Sequence, residues 1–271
     1  MASAPTILVF DSGLGGLTVF REAIKARPDA RFVYAADDAF FPYGRQEVAK
    51  LVARVLEVMG ELIAAHRPDL VVIACNTAST IVLPQLRERF QVPFVGTVPA
   101  IKPACAGSTS KLVTVLGTEA TVKREYTRKL ILEHGNGCEV KLVGSPRCAE
   151  LAEAELKGEP ASDAEVAAEI APCFVETGGK RTDTIVLACT HYPLLLTRMQ
   201  KLALWPVNFI DPAPAIARRL LDLLGPAAPS APAQPAQTIA HAIFTSGRRP
   251  APPLAAALKR FGLAEAAPAS V

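Results

Sequence analysis

A short pattern that occurs twice limits this chain to few architectures. Val71-Val72-Ile73-Ala74-Cys75-Asn76-Thr77 and Ile185-Val186-Leu187-Ala188-Cys189-Thr190-His191 each run from β-branched apolar residues through alanine and cysteine into polar residues able to start a helix. Apolar runs this short, bounded by helix starters, read as strands buried on both faces. Two copies imply two similar units, each presenting one thiol at the C-terminal end of a strand. Ligands of open α/β sheets gather at those strand ends, so both thiols are expected to face one cleft.

The rest of the chain supplies the elements such units need. Thr6 to Phe10, Arg31 to Ala35, Leu70 to Ala74 and Val92 to Gly96 read as strands, with helices over Leu14 to Lys25, Gln46 to Ala65 and from Asn76 to Phe90. A second round gives strands at Leu112 to Leu116, Glu139 to Val143, Thr184 to Ala188 and Val207 to Ile210. Its helices fall over Ala120 to His134, Ala161 to Thr177, Tyr192 to Ala203 and Pro214 to Leu224. The expected fold is α/β: two similar half-domains with mostly parallel sheets, related by a pseudo-twofold, with the active site in the cleft between them. Residues 1–98 plus 207–247 are expected to form the first, discontinuous domain and 99–206 the second. Gly225 to Gln237 has a Pro/Ala linker composition, Ile239 to Gly247 returns as a strand, and 248–271 reads as a mobile C-terminal tail.

Charge narrows the partners. Lys and Arg exceed Asp and Glu by only three and aromatics are 6% of the chain, so no surface for nucleic acid is expected. Leu70 to Leu86 is apolar but holds Asn76, Thr77, Ser79, Thr80 and Pro84, which excludes a membrane span there. The opening Met1-Ala2-Ser3-Ala4-Pro5 shows no basic segment ahead of an apolar one, so no secretory signal is read. A cytoplasmic location with all six cysteines reduced is the expectation. Without any Cys-x-x-Cys pair and with four histidines, no metal site is expected.

Cys75 and Cys189 each precede groups that cap a helix, so each thiol is expected beside the positive end of a helix dipole, where its pKa falls. Asp11-Ser12-Gly13-Leu14-Gly15-Gly16 fits neither a dinucleotide fingerprint nor a P-loop; its glycines suit backbone N–H groups that approach a small anion. Asp11 at the strand end reads either as a cap or as a group beside a reacting atom. His191 reads either as a proton partner for Cys189 or as a helix-start residue bonded to backbone. Cys105, Cys138, Cys148 and Cys173 have no setting that stands out.

Five segments in order resemble the glutamate racemases: Val9 to Val19, Tyr34 to Asp37 with Pro42-Tyr43-Gly44, Ala74 to Ser79, Val98 to Pro103 and Ala188 to Leu194. The resemblance runs from Asp11 to Gly247. It implies cofactor-independent interconversion of L- and D-glutamate, with D-glutamate supplied to peptidoglycan synthesis, by a protein expected to be a homodimer. Carried over by motif, Cys75 and Cys189 are the catalytic thiols, assisted by Asp11 and His191 respectively. Asp11-Ser12, Tyr43-Gly44, Asn76-Thr77 and Thr190-His191 are implied as the substrate-binding pairs, with Asp37 and Glu153 as more distant members. Asp38 departs from the Thr more usual there, and the Pro/Ala segment is unusually long.

Overall fold

The computed structural model describes residues 4–227 and 240–264. Strands and helices alternate through β1 (Thr6–Asp11), α1 (Leu17–Ala26), β2 (Arg31–Ala36), α2 (Val48–His66), β3 (Leu70–Ile73), α3 (Asn76–Arg89), β4 (Phe94–Gly96) and α4 (Ile101–Gly107). They continue through β5 (Leu112–Thr118), α5 (Glu119–Val122), α6 (Glu125–His134), β6 (Glu139–Ser145), α7 (Cys148–Lys157), α8 (Asp163–Ile170), the short strands β7 (Glu176–Thr177) and β8 (Lys180–Arg181), and β9 (Thr184–Ala188). The order closes with α9 (Leu196–Leu202), β10 (Asn208–Ile210), α10 (Ala213–Leu224), β11 (Ala240–Phe244), α11 (Pro252–Arg260) and β12 (Leu263–Ala264).

These strands form two main sheets, one of six strands in the order β12-β11-β2-β1-β3-β4 and one of four in the order β10-β9-β5-β6. Neighbours in both are parallel. The second sheet repeats the connectivity of the first: β5 stands for β1, β6 for β2, β9 for β3 and β10 for β4. Every residue of β3 and of β9 is buried, because helices cover both faces of each sheet and make both side-chain directions apolar. Two cores flank the first sheet and two flank the second.

The repeat corrects the expected boundary. Residues 207–210 belong to the second half, with Asn208 paired to Thr184 and Ile210 to Val186, and the return to the first half starts at α10, which packs on α1. A strand of three residues carries no periodicity to say which sheet it joins.

A second correction concerns 248–264, expected as tail. Pro252 and Pro253 open α11 where missing N–H groups cost nothing, and Leu254, Ala257 and Leu258 are buried in the first core. Leu263 then pairs with Ala240, so β12 extends the sheet. The Pro/Ala segment from residue 228 to 237 and the last residues of the tail, 265–271, lie outside the described residues.

Smaller differences have local causes. The helix expected over Ala120 to His134 is broken at Lys123-Arg124 into α5 and α6, where Thr127 Oγ1 donates to the Thr121 carbonyl. The helix expected to Thr177 ends at Ile170, since Pro172 follows and Gly178-Gly179, both at positive φ, turn the β7–β8 hairpin. Two helices, α4 and α7, had no expectation.

Candidate active site

Each thiol sits where a buried strand gives way to a helix start. Cys75 is the N-cap of α3: its sulfur accepts the Ala78 N–H at 3.5 Å, and its S–H reaches Ser12 Oγ at 3.5 Å. Cys189 follows β9 and lies 3.8 Å from His191 Nδ1. Both thiols line one small cavity, together with Ser12, Tyr43, Gly44, Asn76, Thr77, Thr190 and His191. The structure thus brings these expected residues together.

Residues not expected at the site complete the walls: Phe41, Thr118 and Ala149, with Pro42 from the Pro42-Tyr43-Gly44 segment. Thr118 had a signal, since it ends β5 as Asp11 ends β1. Its hydroxyl lies 3.2 Å from Thr77 Oγ1 and 2.9 Å from Thr121 Oγ1, which links the halves across the cavity floor. The Phe41 ring stacks 5.4 Å from that of His191, and nothing in its local sequence announces that contact.

Three expected residues stand outside the cavity lining. Asp11 is fully buried; its Oδ2 accepts the N–H groups of Gly13 and Gly16 at 3.1 and 2.9 Å, and among the described residues Oδ1 has no partner. Burial raises its pKa against the opposing pull of His191 and the backbone donors. No hydrogen bond joins Asp11 to Cys75, so its action on that thiol is through its charge.

Asp37 holds the Tyr43 hydroxyl at 2.7 Å, with Arg54 and Thr245 on its other edges, and so fixes a wall of the cavity. Glu153 is closer to the chemistry than the sequence implied. Its Oε1 lies 3.1 Å from His191 Nε2 and accepts the Leu14 N–H at 2.9 Å, while Lys157 holds Oε2 at 2.5 Å. Cys189, His191 and Glu153 form a connected line.

The glycine turn finds its anion inside the protein. The expected cradle for a small anion is filled by the carboxylates of Asp11 and Glu153, which take the N–H groups of Gly13, Gly16 and Leu14. A Cβ on Gly15 would lie 2.5 Å from the His191 backbone nitrogen, and one on Gly16 2.7 Å from Asp11 Cβ. Gly15 lets the two halves approach, and Gly16 lets the turn close on Asp11.

Electrostatics acts on Cys75 and on the groups behind Cys189. The sequence expectation of a lowered pKa fails at Cys75, whose thiol is pushed up to about 12 by burial and by the Asp11 charge; the Ser12 and Ala78 contacts oppose this but do not offset it. A helix N-terminus stabilises a thiolate by less than full desolvation costs it. At His191 burial lowers the pKa, but the contacts with Cys189 and Glu153 outweigh it and hold the ring well above its ordinary value. Glu153 is raised by burial and lowered more by His191 and Lys157, to about 2. An imidazolium is therefore favoured between the carboxylate and the second sulfur.

The site also offers unpartnered donors and acceptors. Both polar atoms of the Asn76 amide are buried without a hydrogen-bond partner among the described residues, and the residue lines the cavity. Such groups are costly unless a ligand satisfies them. Among the described residues no cluster of three or more His, Cys, Asp or Glu is placed to hold a metal. No helix there is long and apolar enough to cross a membrane.

Comparison with known proteins identifies the family. Residues 12–220 match the Asp/Glu/Hydantoin racemase family. The chain is 55% identical to a glutamate racemase of Brucella ovis over 258 residues, covering 95% of this chain and 92% of the relative. Over 221 residues it is 58% identical to that of Brucella anthropi, covering 81% and 80%. Among solved structures, Escherichia coli glutamate racemase in complex with L-glutamate and the activator UDP-MurNAc-ala superposes with a TM-score of 0.85 at 38% identity, covering 97% of this chain and 100% of that one. Glutamate racemase isoform RacE1 of Bacillus anthracis gives 0.75 at 26% identity, covering 96% and 94%.

Proposed function

Since the chain belongs to the Asp/Glu/Hydantoin racemase family, we propose that it interconverts L- and D-glutamate without a cofactor, using Cys75 and Cys189 as two bases, and supplies D-glutamate to peptidoglycan synthesis in the cytoplasm. The observation that carries this reading is the pair of thiols, each closing the equivalent strand of its half and both lining one cavity.

Racemisation removes a proton from one face of Cα and returns one to the other, and a single fixed base reaches only one face. Two bases from opposed halves reach both. One thiolate takes the α-proton and becomes a thiol; the other thiol gives its proton to the opposite face and becomes a thiolate. Atoms balance, and the opposite enantiomer runs the roles in reverse. The raised His191 pKa places an imidazolium 3.8 Å from Cys189, whereas burial and the Asp11 charge hold Cys75 as a thiol.

The electron pair left on the substrate moves into its α-carboxylate. The hydroxyls of Ser12, Thr77, Thr118 and Thr190 and the Asn76 amide are the donors suited to hold it, and fixed donors in a site shielded from water are where such stabilisation is strongest. The test is incubation with L-glutamate in D₂O without added cofactor, following optical rotation and deuterium at Cα. Loss of rotation with deuterium uptake is expected; retention of both rotation and α-hydrogen would overturn the reading.

A further inference from the structure

The cavity that holds the thiols adjoins a second one, with Pro42, Gly44, Thr118 and Ala149 lining both. A molecule that approaches the sulfurs from this side passes through that neighbouring space, the vestibule. Arg45 and Glu150 also line it. Arg45 ends the 3₁₀ turn Tyr43–Arg45 of the first half, and Glu150 lies in the first turn of α7 in the second. Arg45 Nη1 is 2.7 Å from Glu150 Oε1, and Nη2 donates to the Pro146 carbonyl at 3.3 Å. One guanidinium therefore ties the two halves together beside the site.

Three features give this tie a use beyond cohesion. Among the described residues Arg45 is the only lysine or arginine lining either cavity. The pair is exposed, at 58% for Arg45 and 36% for Glu150, and exposed pairs are weak and break readily. A guanidinium presents five donors in a plane, so it can accept a new carboxylate edge-on while its bond to the Pro146 carbonyl persists. An anion approaching the vestibule otherwise meets the carboxylates of Glu119 and Glu150.

We propose that Arg45 and Glu150 form an ion-pair gate, at which an anionic amino acid displaces Glu150 from the Arg45 guanidinium on its way to the thiols. The identity of that anion rests on the reading of the site as a glutamate racemase. The gate itself rests on the two adjoining cavities and the pair that lines the vestibule. Arg45 is then a steering residue that sets how fast anions reach the site, and Glu150 is the latch that competes with them.

Two measurements on the full chain test this. In the first, the buried thiols are alkylated with iodoacetate and, separately, with iodoacetamide, and the modified peptides of Cys75 and Cys189 are quantified. Glu150→Gln is expected to raise both rates. Arg45→Met is expected to raise the iodoacetamide rate and to lower the ratio of iodoacetate to iodoacetamide roughly tenfold, the low end of what focused charge contributes to association. In the second, L-glutamate turnover by Arg45→Met is expected to lose about tenfold in kcat/KM, mostly through KM, with Arg45→Lys recovering part. Both side chains are exposed, so circular dichroism should show folded variants. Wild-type alkylation rates and ratios in both variants would overturn the gate even with racemisation intact. Absence of racemisation in the wild-type protein would remove the glutamate assignment and leave the alkylation test standing.

Discussion

Cys75 and Cys189 were legible because each stands in a local pattern that repeats, and the pattern dictates a strand end whatever the rest of the chain does. Replacing either by serine leaves a far weaker base at one face of Cα. Racemisation is expected to fall by about 10² to 10⁴-fold, the range that a positioned proton-transfer group supplies, with the reaction followed by optical rotation. A Cys189→Ser variant at near wild-type rate would sink the two-base assignment.

Glu153 was legible only as a remote member through family resemblance, because it lies on α7, a helix that the sequence did not show. Its partners stand far away in the chain at Leu14 and His191. Its pH signature follows from sign. The folded carboxyl lies at about 2 against an ordinary 4.5, so the stability it contributes is present above about pH 4.5 and is lost as the pH falls toward 2. Urea unfolding at pH 7 and pH 3 should show a marked loss in the wild type and a smaller one in Glu153→Gln. Equal losses would show that the carboxylate gains nothing from His191 and Lys157.

At the scale of elements, long periodic segments such as α2 and the apolar strands β1, β3, β5 and β9 were readable from composition and period. The short ones were not. β10 has three residues, too few to reveal its sheet, and its place became clear only as the counterpart of β4. The helix α11 was hidden by its own composition, since its run of Pro and Ala read as part of a mobile tail although Pro at the start and Ala within are compatible with a helix.

The turn between β1 and α1 shows the same limit in another form. Its glycines were read as a cradle, which holds, but the occupants come from Asp11 and from the second half. Gly15→Ala tests this directly. The new methyl would meet the His191 backbone, which cannot swing aside as a side-chain tip can. The expected outcome is a loss of about 1 to 3 kcal/mol in urea unfolding, the usual penalty for overpacking, accompanied by loss of racemase activity at temperatures where the variant is folded. A variant with wild-type activity would mean that the halves need not approach so closely.

Across the whole molecule, α7 is the part that belongs to both halves. Its chain position and its partners α8 and the Tyr192–Leu195 turn place it in the second half, yet Leu156 is buried in the core of the first, among α11 residues such as Leu254 and Leu258. Gly158, at positive φ just beyond the helix, lies against Pro253. Glu153 sits one turn before Leu156, so the seating of α7 on α11 and the seating of Glu153 on the β1–α1 turn are one arrangement. The returning C-terminal chain therefore supports the site without touching it.

Leu156→Ala is expected to loosen that seat at a cost of about 2 to 5 kcal/mol, as for other buried leucines. Leu62→Ala, on α2 in the core at the opposite face of the same sheet, should cost a similar amount and provides the comparison. With both variants assayed well below their unfolding temperatures, only Leu156→Ala should lose turnover, and it should also flatten the acid limb of the stability profile that Glu153 creates. Equal turnover in the two would show that α7 holds Glu153 through its own half alone.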